Sequence, residues 1–86
     1  MTIQLELAAL ERDWVDSAYD LVWGLRQGSE FATDDLHDSL PRPQHPNWWG
    51  VLLAKCRTVG IVEPIGYRPS LRPEANGRVI RVWRRR

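Results

Sequence analysis

The side chains able to do acid–base, nucleophilic or metal chemistry are few and scattered. His37 and His45 are the only histidines, and Cys56 is the only thiol. A zinc site needs further His or Cys at ligand spacing, so both histidines read as surface residues. Cys56 falls on the apolar stripe of a helix, which reads as an inert core thiol. A lone cysteine excludes an internal disulfide and fits a reducing, cytoplasmic setting. Asp34, Asp35 and Asp38 are bunched, but they follow a helix start, where the helix dipole favours acids. The chain has neither a Gly-rich phosphate loop nor a Ser-His-Asp set at recognisable spacing. No catalytic residue, metal or cofactor is expected from this inventory.

The chemistry the sequence does carry is charge. Residues 1–40 hold two basic and nine acidic side chains, net −7; residues 41–86 hold ten basic and two acidic, net +8. The whole chain is only +1, so the average conceals a strong asymmetry. An imbalance of this kind points to a polyanion partner for the second half. It also fits two faces of one fold attracting each other. Arg supplies eleven of the twelve cations, with Lys55 the exception.

Eighty-six residues make one domain with one modest core. No apolar run approaches the ~18 residues of a membrane span. The opening MTIQLELAAL lacks the basic start of a signal peptide. Leu7, Leu10, Trp14, Ala18, Leu21, Val22 and Leu25 recur at steps of three and four, which predicts a first helix over residues 7–27, with residues 1–6 frayed. Gly28 is its stop. Trp14 and Trp23 are nine residues apart, about 180° on an ideal helix, so they cannot share one core. Phe31 is an apolar anchor in a short strand-like segment. Thr33 then reads as the N-cap of a short second helix ending at Pro41, with Leu36 and Leu40 on one side.

PRPQHP is a stiff connector. Asn47 is expected to cap a third helix, roughly Trp48 to Val59, stopped by Gly60. Its apolar face comprises Trp49, Leu52, Leu53, Cys56 and Val59; Trp48 is divided between packing on the first helix and exposure, and Gly50 in the first turn lets another helix or a DNA backbone come close. IVEPIGY contains Pro64 and reads as a short or edge strand. Asn76-Gly77 signals a tight turn. RVIRVW is a second hairpin strand with mixed faces, Trp83 covering the hairpin, and the terminal arginines 84–86 are expected to fray.

The stretches FATDDLHDSLP, NWWGVLLAKCRTVGIVEPIGYRPS and NGRVIRVWRR together resemble a winged helix-turn-helix domain, and small helix-turn-helix proteins of actinobacteriophages. The fold this implies is α+β: three helices followed by a two-stranded β-hairpin wing. The function it implies is double-stranded DNA binding by a phage or mobile-element transcription regulator or accessory factor, without enzymatic activity, as a monomer or homodimer in the host cytoplasm. The third helix would enter the major groove, which admits one helix, with Gln44, His45, Asn47, Trp48 and Val51 toward base edges and Lys55 and Arg57 on phosphates. The wing would add Arg68, Ser70, Arg72, Arg78 and Arg81 to the backbone or minor groove. The competing expectation is a protein-interaction module docking through its acidic first helix.

Overall fold

The computed structural model describes the backbone of residues 2–86 and the side chains of residues 6–86. Helix α1 spans Thr2–Trp23, strand β1 Glu30–Phe31 and helix α2 Thr33–Leu36, which runs into a 3-10 turn at His37–Ser39. Helix α3 spans Trp48–Val59, and strands β2 (Val62–Pro69) and β3 (Val79–Arg85) form a hairpin. The fold is thus α+β, with three helices and a three-stranded antiparallel sheet in the order β1-β3-β2. Among the described residues no helix is long and apolar enough to cross a membrane.

The core forms where the apolar stripes of α1 and α3 meet one face of the sheet. Trp14, Val15, Ala18 and Val22 come from α1, Leu52, Leu53 and Cys56 from α3, and Phe31, Val62 and Trp83 from the strands. Leu36 of α2 is also buried in this core. Trp14 and Trp23 do part company as the helical spacing requires: Trp14 is buried, whereas Trp23 is half exposed and carries the Arg85 guanidinium over its ring.

α3 begins and ends as its sequence predicts. Gly60 adopts φ +92°, the left-handed region that closes a helix, and its N–H donates to Cys56 and Arg57 carbonyls. Asn47, however, makes no side-chain cap; the entry is built from backbone, with the Trp48 and Trp49 N–H groups donating to His45 and Pro46 carbonyls. The buried row is Trp48, Leu52 and Cys56, while Val59 at the last turn is exposed. Trp48 is only 3% exposed, and Trp49 is partly buried, edge-on to Trp14 at 4.8 Å between ring centroids. Trp14 Nε1 also donates to the Pro41 carbonyl at 2.7 Å, pinning the connector to α1.

Pro64 lies on an edge strand, as a residue without an N–H must, and the register slips by one residue between Pro64 and Gly66. Asn76 and Gly77 both have positive φ in the turn before β3. Three boundaries differ from expectation. α1 runs from Thr2 and stops at Trp23, because its last turn closes on Gly24; Met1 lies outside the described residues. α2 is a single turn whose N-cap position is Ala32, not Thr33. The C-terminal arginines do not fray: Arg85 N–H donates to Ser29, Arg85 carbonyl accepts from Gly28, and Arg86 N–H donates to Ile61. Hydrogen bonding on both flanks holds the chain end where sequence composition alone suggested looseness.

Two substitutions test this packing. Leu52→Ala removes a side chain with no exposure and should cost about 2–5 kcal/mol in urea unfolding. Gly60→Ala should cost about 1–2 kcal/mol, since the left-handed backbone persists while the new Cβ opposes it.

Candidate nucleic-acid interface

The twelve residues expected to touch DNA do not form one surface. They separate into three groups, each placed by a different element.

The first group lies between α3 and the N-terminal half of α1. His45, Asn47 and Trp48 border a hollow shared with Leu7 and Glu11. Val51 and Lys55 border a neighbouring one with Glu11, Arg12 and Asp16. Lys55 Nζ is 3.2 Å from Asp16 Oδ1 and sits 4.5 Å from the Tyr19 ring centroid. Trp48 is buried against Trp14 and is therefore corrected from a groove-facing residue to a core residue. Gln44 is exposed on the connector and is not part of the helix. An acidic helix beside these side chains repels a polyanion, so this flank of α3 is the wrong one for phosphates.

The second group ties the hairpin to α2. Ser70 is buried; its hydroxyl donates to the Asp34 carboxylate at 2.9–3.0 Å, and the Leu71 N–H donates to the same carboxylate at 2.9 Å. Arg68 Nη2 is 3.0 Å from Asp35 Oδ2, an oxygen that also accepts the Ala32 N–H at 2.8 Å and so closes the start of α2. Arg72 pairs with Glu74 and lies 2.9 Å from His37 Nε2. Since a guanidinium can only donate, His37 Nε2 is the acceptor and the ring proton is on Nδ1. Buried Ser70 is thus corrected from a DNA contact to a structural tie, and Arg68 and Arg72 are held by partners within the fold. Their acidic partners belong to the opening segment or the turn, so local pairing removes part of the basic strip.

The third group remains available. Arg57 of α3 and Arg81 of β3 line a groove of about 550 Å³ together with Gly50, Ala54, Thr58 and Ile80. Neither has an acidic partner among the described residues; Arg81 is held by the Tyr67 hydroxyl at 2.9 Å and lies over the Tyr67 and Trp83 rings. Tyr67, Arg57 and Arg81 line the next hollow along the hairpin as well. On the other side, Thr33 and Ile80 connect the groove to a hollow of about 270 Å³ bordered by Arg42, Arg72 and Arg78. Arg78 is exposed with no acidic partner among the described residues. Sequence reasoning allows a close approach of DNA at Gly50, but it missed Ala54, Thr58 and Arg42. A signal was present: Gly50, Ala54 and Thr58 recur every four residues, opposite Trp48, Leu52 and Cys56, and leave a stretch of α3 backbone nearly bare.

Cys56 is fully covered, and burial pushes its thiol up to about 11, so it is protonated at neutral pH. Among the described residues no trio of His, Cys, Asp or Glu is arranged to hold a metal ion. The aspartates once grouped by sequence point apart in role: Asp34 holds the hairpin and Asp35 holds Arg68.

His37 gives this region a pH dependence. Desolvation, then the Arg72 charge, lowers its affinity for a proton, against smaller opposing effects of Asp34, Glu74 and Asp38. The folded state therefore binds a proton less readily than the unfolded chain. The contribution of neutral His37 is complete above pH ~6.5 and is lost as the pH falls through its lowered folded value. Urea unfolding should show stability declining on acidification through this window, with a shallower decline in His37→Gln. No protein-family model, no curated protein sequence and no solved structure matches this chain.

Proposed function

We propose that the chain is a winged-helix domain that binds double-stranded DNA in the groove between α3 and the hairpin, and that it acts as a regulator or accessory factor rather than an enzyme. The observation that carries the reading is the convergence of Arg57 and Arg81, from separate elements, on one groove beside the bare Gly50–Ala54 stretch, with no carboxylate among the described residues answering either. Small side chains let a phosphodiester backbone approach closely, and two guanidiniums on opposite walls can hold it bidentately. Arg42 and Arg78 add two further cations on the same side, in a hollow that also holds Asp34 and the Arg72–Glu74 pair.

The element order adds support. A helix, a short strand, two further helices and a hairpin, with β1 pairing the last strand rather than the first hairpin strand, is the order a winged helix has. In this reading α3 presents Ala54, Thr58 and the expected Arg57 to DNA, one face round from His45, Asn47, Val51 and Lys55. The Tyr67 ring, exposed beside Arg81, supplies a further neutral contact. With about four phosphates neutralised, by Arg42, Arg57, Arg78 and Arg81, the log–log dependence of affinity on salt should have a slope of about −3 to −4.

Anisotropy titrations of a labelled duplex at several salt concentrations test this directly. Arg57→Ala and Arg81→Ala should each weaken binding and each reduce the salt slope by about one. Arg68→Ala, whose parent residue is paired with Asp35, should leave that slope nearly unchanged. Absence of a salt slope, or unchanged affinity in both Arg57→Ala and Arg81→Ala, would remove the DNA reading.

A further inference from the structure

The acidic side of the molecule is left with unmet charge and unmet apolar surface together. α1 carries Glu6, Glu11, Asp13, Asp16 and Asp20 against Arg12 alone. Among the described residues, the only cation from the second half of the chain that pairs with one of these carboxylates is Lys55, on Asp16. Near that end of α1, Leu7 and Leu10 are 37% and 44% exposed, and Val51 of α3 is 39% exposed. Ala8, Val15 and Val51 line the shallow hollow between the two helices, with Glu11, Arg12, Asp16 and Lys55 at its border. Arg12 pairs with Asp13 and Lys55 with Asp16, which leaves Glu11 as the border carboxylate without a cation among the described residues.

The hairpin tip is its chemical complement. Leu71 is 84% exposed, the most open large apolar side chain described, and Val79 is also exposed. Arg78 lies beside them without an acidic partner among the described residues. The tip is rigid: the Leu71 N–H is held by Asp34 and the Ser70 N–H by the Arg78 carbonyl. An exposed leucine on an ordered loop gives up little conformational entropy when it docks. Within one chain the tip is tied to α2, so it does not reach the α1 hollow.

We propose that the hairpin tip of one copy docks into the α1–α3 hollow of the next, giving a head-to-tail, concentration-dependent self-association. Charge selects this arrangement over the two-fold alternatives. Pairing α1 with its own copy would set two acidic helices against each other, and pairing two tips would oppose Arg78 to Arg78. Leu71 against Leu7 and Val51, with Arg78 toward Glu11, satisfies both surfaces at once. A heterologous contact of this kind does not close after two copies, so the assembly lengthens with concentration. The inference shares Arg78 with the DNA reading but does not rest on it, and it is tested without nucleic acid, so either can fail alone.

Sedimentation and light scattering over a concentration series provide the test. The wild-type mass should rise above the 10.0 kDa monomer, pass beyond twice that value without a plateau, and fall back when salt is raised. Leu71→Glu and Glu11→Arg both alter partly or fully exposed side chains, and circular dichroism will verify that both variants are folded. Each alone should stay monomeric. Mixed together they should form a species of twice the monomer mass and nothing larger, because the first retains an intact hollow and the second an intact tip. A wild-type protein that stays monomeric at every concentration overturns the proposal. So does a discrete dimer that survives Leu71→Glu, which would mark a two-fold interface instead. Failure of the mixed variants to associate also overturns it.

Discussion

The Asp34 carboxylate is the point on which the arrangement of the molecule turns. It accepts the Ser70 hydroxyl and the Leu71 N–H, two donors that lie beyond β2 and thirty-six or more residues along the chain. Hydrogen bonds to an ionised acceptor are shorter and stronger than neutral ones, and this one is partly shielded from water. A two-stranded hairpin alone is marginal in water. Here it gains a third strand at one edge and this anchor near its tip, with Asp35–Arg68 and His37–Arg72 alongside. The anchor sets how the hairpin stands over α3, and so where Arg81 lies relative to Arg57.

The same anchor redistributes charge. Arg68 and Arg72 look from the sequence like members of a basic wing; in the fold they answer carboxylates and a neutral imidazole. Arg84 is likewise placed between Glu30 and Glu63 across the strands. These pairs are surface pairs, each worth little in stability, but they decide which cations remain for another molecule. What is left is a short positive run from Arg42 and Arg78 to Arg81 and Arg57 on the hairpin side of α3, and an acidic α1 on the other. α3 therefore has two unlike flanks, and only the hairpin flank suits an anion.

Local signals carried much of this fold. The spacing of Trp14, Ala18 and Val22 gives α1, Gly60 gives the end of α3, Pro64 gives an edge strand, and Asn76-Gly77 gives the turn, because each rests on periodicity or backbone preference within a few residues. Other features depend on contacts that no local pattern encodes. β1 is two residues long and exists only because β3 offers it a ladder. Trp48 and Trp49 are neighbours on the helix, and which of them is buried depends on where Trp14 and the Pro41 carbonyl stand. The interface residues were legible by type but not by partner. Ser70, Arg68 and Arg72 needed knowledge of Asp34, Asp35 and His37 across more than thirty residues, whereas Gly50 was legible as a point of close approach and Ala54 and Thr58, which continue its bare helix face, were passed over by attention to charged residues.

The most direct test of the α3–hairpin groove is an amide chemical-shift titration of the isotopically labelled protein with a short DNA duplex. Shifts should concentrate at Gly50, Ala54, Arg57 and Thr58 on α3 and at Ile80 and Arg81 on β3, leaving Glu11, Asp13 and Asp16 of α1 unmoved. Shifts confined to α1 and the Val51 flank of α3, or none across the groove at saturating duplex, would contradict it.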